Sequence, residues 1–196
     1  MNRRNVVFVV VTILGLLLDQ GTKWWVVQNI DAHTGAIPVI AGFFEIVHAQ
    51  NPGAAMGMLR DNPYRYQMFL AFTVVACGVI LDLFRRLPKD DAFMATTLGL
   101  ILSGALGNAM DRVLNEGHRV TDFLRFYTDN PNWRAWLASY HLPSEYPSFN
   151  VADSALVVGV GMFLLHYLFL EEKEPEVRAA PAPDAPVPPN DSPAPG

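Results

Sequence analysis

Two aspartates, Asp122 in VTDF and Asp153 in FNVAD, are the residues with the clearest capacity for chemistry. Neither has an adjacent basic partner in sequence. Two carboxylates brought close together cannot both ionise easily, so one pKa rises and the pair shares a proton. One member then acts as base and the other as acid, which activates water and polarises a carbonyl without a covalent intermediate. Spacing alone leaves plainer roles open: Asp153 as a helix N-cap and Asp122 as a loop acid.

Other polar residues fall where they can support such a pair. Asp19 and Lys23 are four apart, acid before base, the favourable order on one helix face. Asn108, Asp111 and Arg112 also share a face by their spacing, at the end of an apolar stretch. Asn51 lies in the turn Asn51-Pro52-Gly53, and Asn150 precedes the last apolar stretch. Taken singly, the charged pairs are equally well explained as locks between helices. Other chemistries lack their signatures. There is no H-E-x-x-H, the five histidines have no ligand spacing, and G-x-S-x-G and Gly-rich phosphate loops are absent. Cys77 sits in an apolar segment and is expected to be a buried structural thiol.

The elements that must position these groups are membrane spans. The chain has 196 residues, 51% of them hydrophobic and only 17% charged, and a mean hydropathy of +0.20. That balance points to membrane segments rather than a soluble domain. The net charge of −5 argues against a nucleic-acid partner. Four spans are expected, at about residues 6–27, 66–84, 92–110 and 152–170. Gly99, Ser103 and Gly107, four apart in the third, would admit a close helix neighbour. Phe43 to His48 reads as a short strand, and 113–148 as a polar, aromatic loop. Residues 171–196, acidic and rich in Pro and Ala, are expected to be a disordered tail.

Arg3 and Arg4 before the first span, and Arg85, Arg86 and Lys89 after the second, put both termini in the cytoplasm by the positive-inside rule. Asp82 near Arg85 and Arg86 reads as an interfacial ion pair. The candidate site residues then collect at the outer ends of the spans. A small transporter or channel with an acidic proton relay is the alternative reading. It would need polar groups along both halves of the bundle, and a non-catalytic scaffold would leave the clustered acids unexplained.

These motifs resemble those of bacterial lipoprotein signal peptidase, or signal peptidase II, over about residues 5–170. The resemblance rests on Asp19 with Lys23, NPGAAMG from Asn51, GALGNAMDR from Gly104, VTDF from Val120 and FNVAD from Phe149. It implies an all-α membrane protein: four transmembrane helices with a small β-sheet cradle and loop on the outer, periplasmic side of the inner membrane. It further implies an aspartic endopeptidase that removes the signal peptide from diacylglyceryl-modified prolipoproteins, cleaving before the lipidated cysteine. Asp122 and Asp153 align with its catalytic dyad. Asp19, Lys23, Asn51, Asn108, Arg112 and Asn150 align with residues that position substrate or support the dyad; Asp111 lies among them. The expected partners are the lipidated prolipoprotein, membrane lipid and a globomycin-type inhibitor, for a monomer with no metal and no cofactor. Three features depart from the pattern: Met56 for the usual Phe, Ser103 for a common Gly, and a longer, aromatic-rich segment between Asp122 and Asn150.

Overall fold

A computed structural model describes residues 2–32, 34–53 and 62–170. Four of its helices are long and apolar enough to cross a membrane: Arg3–Asn29 (α1), Arg65–Arg86 (α2), Ala92–Leu114 (α3) and the last, Val151–Phe169. At about 1.5 Å per residue, even the 22-residue α2 spans roughly 33 Å, enough for a hydrocarbon core of about 30 Å. A shorter helix, Pro131–Ser139 (α4), precedes the last span, whose α-helical part is Val151–Leu165 (α5), followed by a π-helical turn at His166–Leu170. The proposed tail, 171–196, lies outside the described residues.

The third span is the centre of the bundle. In its most apolar window 56% of residues are buried, against 6–11% in the other three, which face outward along most of their length. Lipid tails are as apolar as leucine, so helices in a membrane associate by close packing rather than by hydrophobic expulsion. The sequence of α3 meets that need with small residues. A Cβ on Gly107 would lie 2.5 Å from Asp19 Oδ2 of α1, and one on Gly104 would overlap the Ala152 carbonyl of α5. Both neighbours can therefore approach α3 only because these positions lack side chains. At the end away from the sheet Phe8 stacks on Phe84 at 4.0 Å between ring centroids, joining α1 to α2. Asp82 pairs with Arg86 at 2.9 Å on the exposed side of α2. Cys77 is half-buried rather than fully enclosed, because α2 presents much of its surface outward.

Three antiparallel strands, Ala36–Ile40 (β1), Phe44–Asn51 (β2) and Val120–Phe126 (β3), form a sheet in the order β1-β2-β3. The expected strand at Phe43–His48 is thus longer, and it has partners on both sides. The segment 113–148 is not simply a loop: it supplies β3 and α4. Val120, Phe123 and their neighbours carry the β-branched and aromatic character of a strand, and pairing with β2 converts that local preference into structure. Val26, Ile30 and Phe123 pack together and fasten the sheet to the end of α1. Phe149 fastens it to α5: its carbonyl accepts from Phe123 N and Leu124 N (3.0 and 2.8 Å), and its own N–H donates to Leu124 O (3.1 Å).

Candidate active site

The bridge at Phe149 places the first residue of α5 beside β3. Asn150 is the N-cap of α5 and Asp153 is its third helical residue. The Asn150 side chain accepts from Asp153 N at 2.9 Å, and Asp153 Oδ2 accepts from Asn150 N at 3.1 Å. This reciprocal capping box satisfies amides that a helix start leaves without partners. Asp153 therefore has a local reason to sit where it does. The N-cap itself, however, is Asn150, not the aspartate.

Asn150 is fully buried and joins the two acids. Its Nδ2 donates to Asp122 Oδ1 at 2.7 Å, while its backbone N–H serves Asp153. Asn51 Nδ2 donates to Asp122 Oδ2 at 2.9 Å, and Asn108 Nδ2 donates to Asp153 Oδ1 at 2.7 Å. Each of the four carboxylate oxygens thus accepts one amide N–H. Neither acid has a cation within salt-bridge distance among the described residues. A carboxylate oxygen has two lone-pair directions, so this arrangement leaves acceptor capacity for a proton or a water.

Asp122 is only 3% exposed. Burial away from water pushes its carboxyl up from an ordinary 3.8 to about 7, and the nearby Asp153 charge adds to the rise. The hydrogen bonds from Asn51 and Asn150, and the more distant Lys23, pull the other way. The result is a carboxyl that can exchange a proton near neutral pH.

A second layer of charge lies below the pair, between α1 and α3. Lys23 Nζ is 2.8 Å from Asp19 and 3.2 Å from Asp111, and all three are buried. Each acid also orders backbone: Asp19 Oδ1 accepts from Ala152 N at the start of α5 (2.9 Å), and Asp111 Oδ2 accepts from Thr121 N in β3 (2.9 Å). Lys23 further donates to Asn108 Oδ1 at 3.2 Å, as does Asn150 Nδ2 at 3.0 Å. These two donors fix the Asn108 amide so that its own Nδ2 faces Asp153. Arg112 goes elsewhere: its guanidinium lies over the Phe69 ring of α2, 4.2 Å from the centroid, and bonds back to Asn108 O at 3.0 Å.

Asp19, Lys23, Asn51, Asn108, Asp111, Asn150, Asp122 and Asp153 are thus joined in one network, with Arg112 at its edge. Asp122 stands in a strand rather than in a loop. Asn108, Asp111 and Arg112 serve three directions: the acid pair, α1 with β3, and α2. Gln20 is a member that sequence reasoning missed. Its Nε2 lies 3.1 Å from Asp19 Oδ2, 3.0 Å from Asp111 Oδ1 and 3.2 Å from Gly107 O. Its place beside Asp19 was the available signal, but an amide next to an acid is common. Of the NPGAAMG motif, Asn51, Pro52 and Gly53 are described, and the remainder lies outside the described residues. Among the described residues, no group of three or more His, Cys, Asp or Glu side chains is arranged to hold a metal ion.

Four membrane-crossing helices with a buried acid–amide centre where they meet a small sheet define a multi-pass membrane protein with one polar end. Known proteins of this kind match it closely. The chain belongs to the signal peptidase (SPase) II family, whose model matches residues 11–169. The lipoprotein signal peptidase of Geobacter sulfurreducens is 41% identical over 169 residues, covering 86% of this chain and 95% of that one. That of Nitratidesulfovibrio vulgaris is 40% identical over 163 residues, covering 82% and 87%. A bacterial membrane enzyme solved by the in meso method at 2.3 Å resolution superposes with a TM-score of 0.65 at 28% identity, covering 86% of this chain and 94% of that one.

Proposed function

We propose that this protein is an aspartic endopeptidase that removes the signal peptide from diacylglyceryl-modified prolipoproteins, cleaving before the lipidated cysteine. The observation that carries the reading is the Asn150 bridge. One buried amide residue holds Asp122 and Asp153 as a pair, with a neutral donor on every oxygen and, among the described residues, no cation within salt-bridge distance of either acid.

Near neutral pH burial favours a proton on Asp122. Asp153 then takes a proton from a water as that water's oxygen attacks the scissile carbonyl carbon. Asp122 gives its proton to the carbonyl oxygen, leaving a neutral tetrahedral diol. When the diol collapses, the C–N bond breaks, the amine of the new N-terminal cysteine leaves with the proton held by Asp153, and a diol hydroxyl returns its proton to Asp122. The pair ends in its starting protonation state. Asn108 and Asn150 hold Asp153; Asn51 and Asn150 hold Asp122; Asp19, Lys23 and Asp111 fix the elements that carry them.

The membrane setting follows the same logic. A substrate anchored by acyl chains stays in the bilayer, so water and lipid must both reach the cleavage point. Helix ends at the membrane–water level meet that need. The positive residues Arg3, Arg4, Arg85, Arg86 and Lys89 support a periplasmic position for this polar end at the inner membrane, with both termini cytoplasmic. A proton-relaying transporter fits less well. Toward the other end of the bundle the buried polar side chains include Thr12 and Thr97, whose hydroxyls donate to Phe8 O and Phe93 O in their own helices.

The test is cleavage of a lipidated prolipoprotein by purified Asp122→Asn and Asp153→Asn proteins. Each should lose activity by about 10²–10⁴-fold, the usual contribution of a general acid or base, while still accumulating in the membrane. Full activity in both would overturn the dyad.

A further inference from the structure

We propose that α4 is an interfacial anchor that lies in the headgroup layer of the membrane and holds the segment between β3 and α5 against the lipid. This goes beyond peptide cleavage and rests only on the membrane-spanning fold.

Local signals start the helix. Asn130 caps it, accepting from Asn132 N and Trp133 N at 3.0 and 3.3 Å, and Pro131 occupies its first turn. Helical spacing puts Trp133, Trp136, Leu137 and Tyr140 on one face, and Arg134, Ala135 and Ala138 elsewhere. The aromatic face is held together: Trp133 and Trp136 meet edge-on at 5.9 Å, and Trp136 and Tyr140 at 5.2 Å between centroids. Yet Trp133 remains 60% exposed, Trp136 51% and Tyr140 63%. A nine-residue helix has no intrinsic need for two half-exposed tryptophans.

The occupant is set by where that face lies. Successive strand residues alternate sides, so Asp122, Leu124 and Phe126 share one face of β3. Asp122 accepts from Asn150, the N-cap of α5, so that face meets the start of the last span. Phe126 continues it, stacking on Phe44 at 4.6 Å and Phe149 at 5.9 Å. A groove of about 450 Å³ with Phe43, Phe126 and Trp133 in its walls joins that surface to α4. The exposed aromatics of α4 are therefore continuous with the side of the sheet that meets α5. Phe149, in the same stack, lies two residues before α5 begins, so the groove sits at the level where the last span starts. Trp and Tyr, each with an apolar ring and a polar edge, are the side chains that favour the membrane–water boundary, and none of the four side chains on the α4 face is charged. Trp24 and Trp25, both exposed, directly precede Val26, which packs against Phe123, so they lie at the sheet end of the bundle.

The chain has four tryptophans, so the test is optical. The full-length protein carrying Trp24→Phe and Trp25→Phe, reconstituted in phosphatidylcholine nanodiscs, reports only on Trp133 and Trp136. Bromine placed on the acyl chain near the glycerol should quench their emission more than bromine near the chain centre, and the emission maximum should lie to the blue of the same protein in a lipid-free polymer. Emission unaffected by either bromine would overturn the anchor. So would loss of quenching together with doubled particle mass, which would mean that a second copy covers the face. A labelling measurement leaves the α1 tryptophans intact: with Cys77→Ala, a nitroxide at Trp136→Cys should collide more with oxygen than with a water-soluble nickel complex. The reverse ratio would overturn the inference even if the double tryptophan variant failed to fold.

Discussion

Replacing Asp122 by asparagine should change how stability depends on pH, and the size of the change can be worked from the site. An acid whose folded pKa is raised binds its proton more tightly folded than unfolded. Its contribution to stability is complete below the unfolded value, 3.8, and is lost as pH rises through the folded value of about 7. Between about pH 5 and about pH 8.5 the wild-type protein should therefore lose stability relative to Asp122→Asn. The interval includes about two pH units below the folded pKa, each worth about 1.36 kcal/mol, so the relative loss is about 3 kcal/mol. The asparagine has a separate cost that does not vary with pH. Asn51 and Asn150 both donate to Asp122. An amide at 122 offers one of them an N–H instead of an oxygen, which costs about 1–3 kcal/mol. The variant should accordingly gain about 3 kcal/mol on wild type between about pH 5 and about pH 8.5 and be the stronger protein at the upper end. Denaturation midpoints in detergent at the two pH values measure this. A stability difference that stays constant across the range would refute a proton held by Asp122, whatever the activity of the variant.

Lys23→Met should destabilise the protein by about 3–5 kcal/mol, because Asp19 and Asp111 would stay buried without their cation; a midpoint within error of wild type would show that the ionic layer is dispensable. Gly107→Ala should cost about 1–3 kcal/mol, since its methyl would meet Asp19 Oδ2 at 2.5 Å, whereas Gly21→Ala, with open space at that position, should cost nothing comparable. A thermal scan of both variants makes the comparison. An alkaline phosphatase reporter fused after Asp129, beyond three spans, should be active, which requires that β3 face the periplasm; a silent but stable fusion would reverse the orientation.

How much of the site could be read in advance depended on the range of the interaction. Asp19 with Lys23 is a pair one helical turn apart, so its partnership is visible in the sequence. Asn150 and Asp153 were half legible: a capping role near the start of α5 was expected, but their reciprocal bonds make Asn150 the cap. Gln20 shows the limit. Its contacts to Gly107 and Asp111 cross 87 and 91 residues, and no local pattern announces them. The strand β3 was hidden for a related reason. VTDFLRF has neither clean alternation nor a tight turn to its partner, and it becomes a strand by pairing with β2, some seventy positions earlier in the chain.

By itself the sequence determined the four apolar spans, the small residues that let α3 be approached, and the polar residues gathered at one end. These follow from composition and helical period, which act over a few turns. The tertiary structure decided which side chain meets which. The clearest case is Asn51. Ile46 pairs with Leu124, but Ala49, not His48, pairs with Asp122, because one extra residue bulges from β2 between them. A shift of one residue turns a strand's side chains to the opposite face. The bulge brings Asn51 onto the face of Asp122 and sends Gln50 to the other side, beside Thr121. Nothing in NPG prescribes that slip. It depends on how β2, β3 and the start of α5 fit together, and only their packing puts an amide on each oxygen of the acid pair.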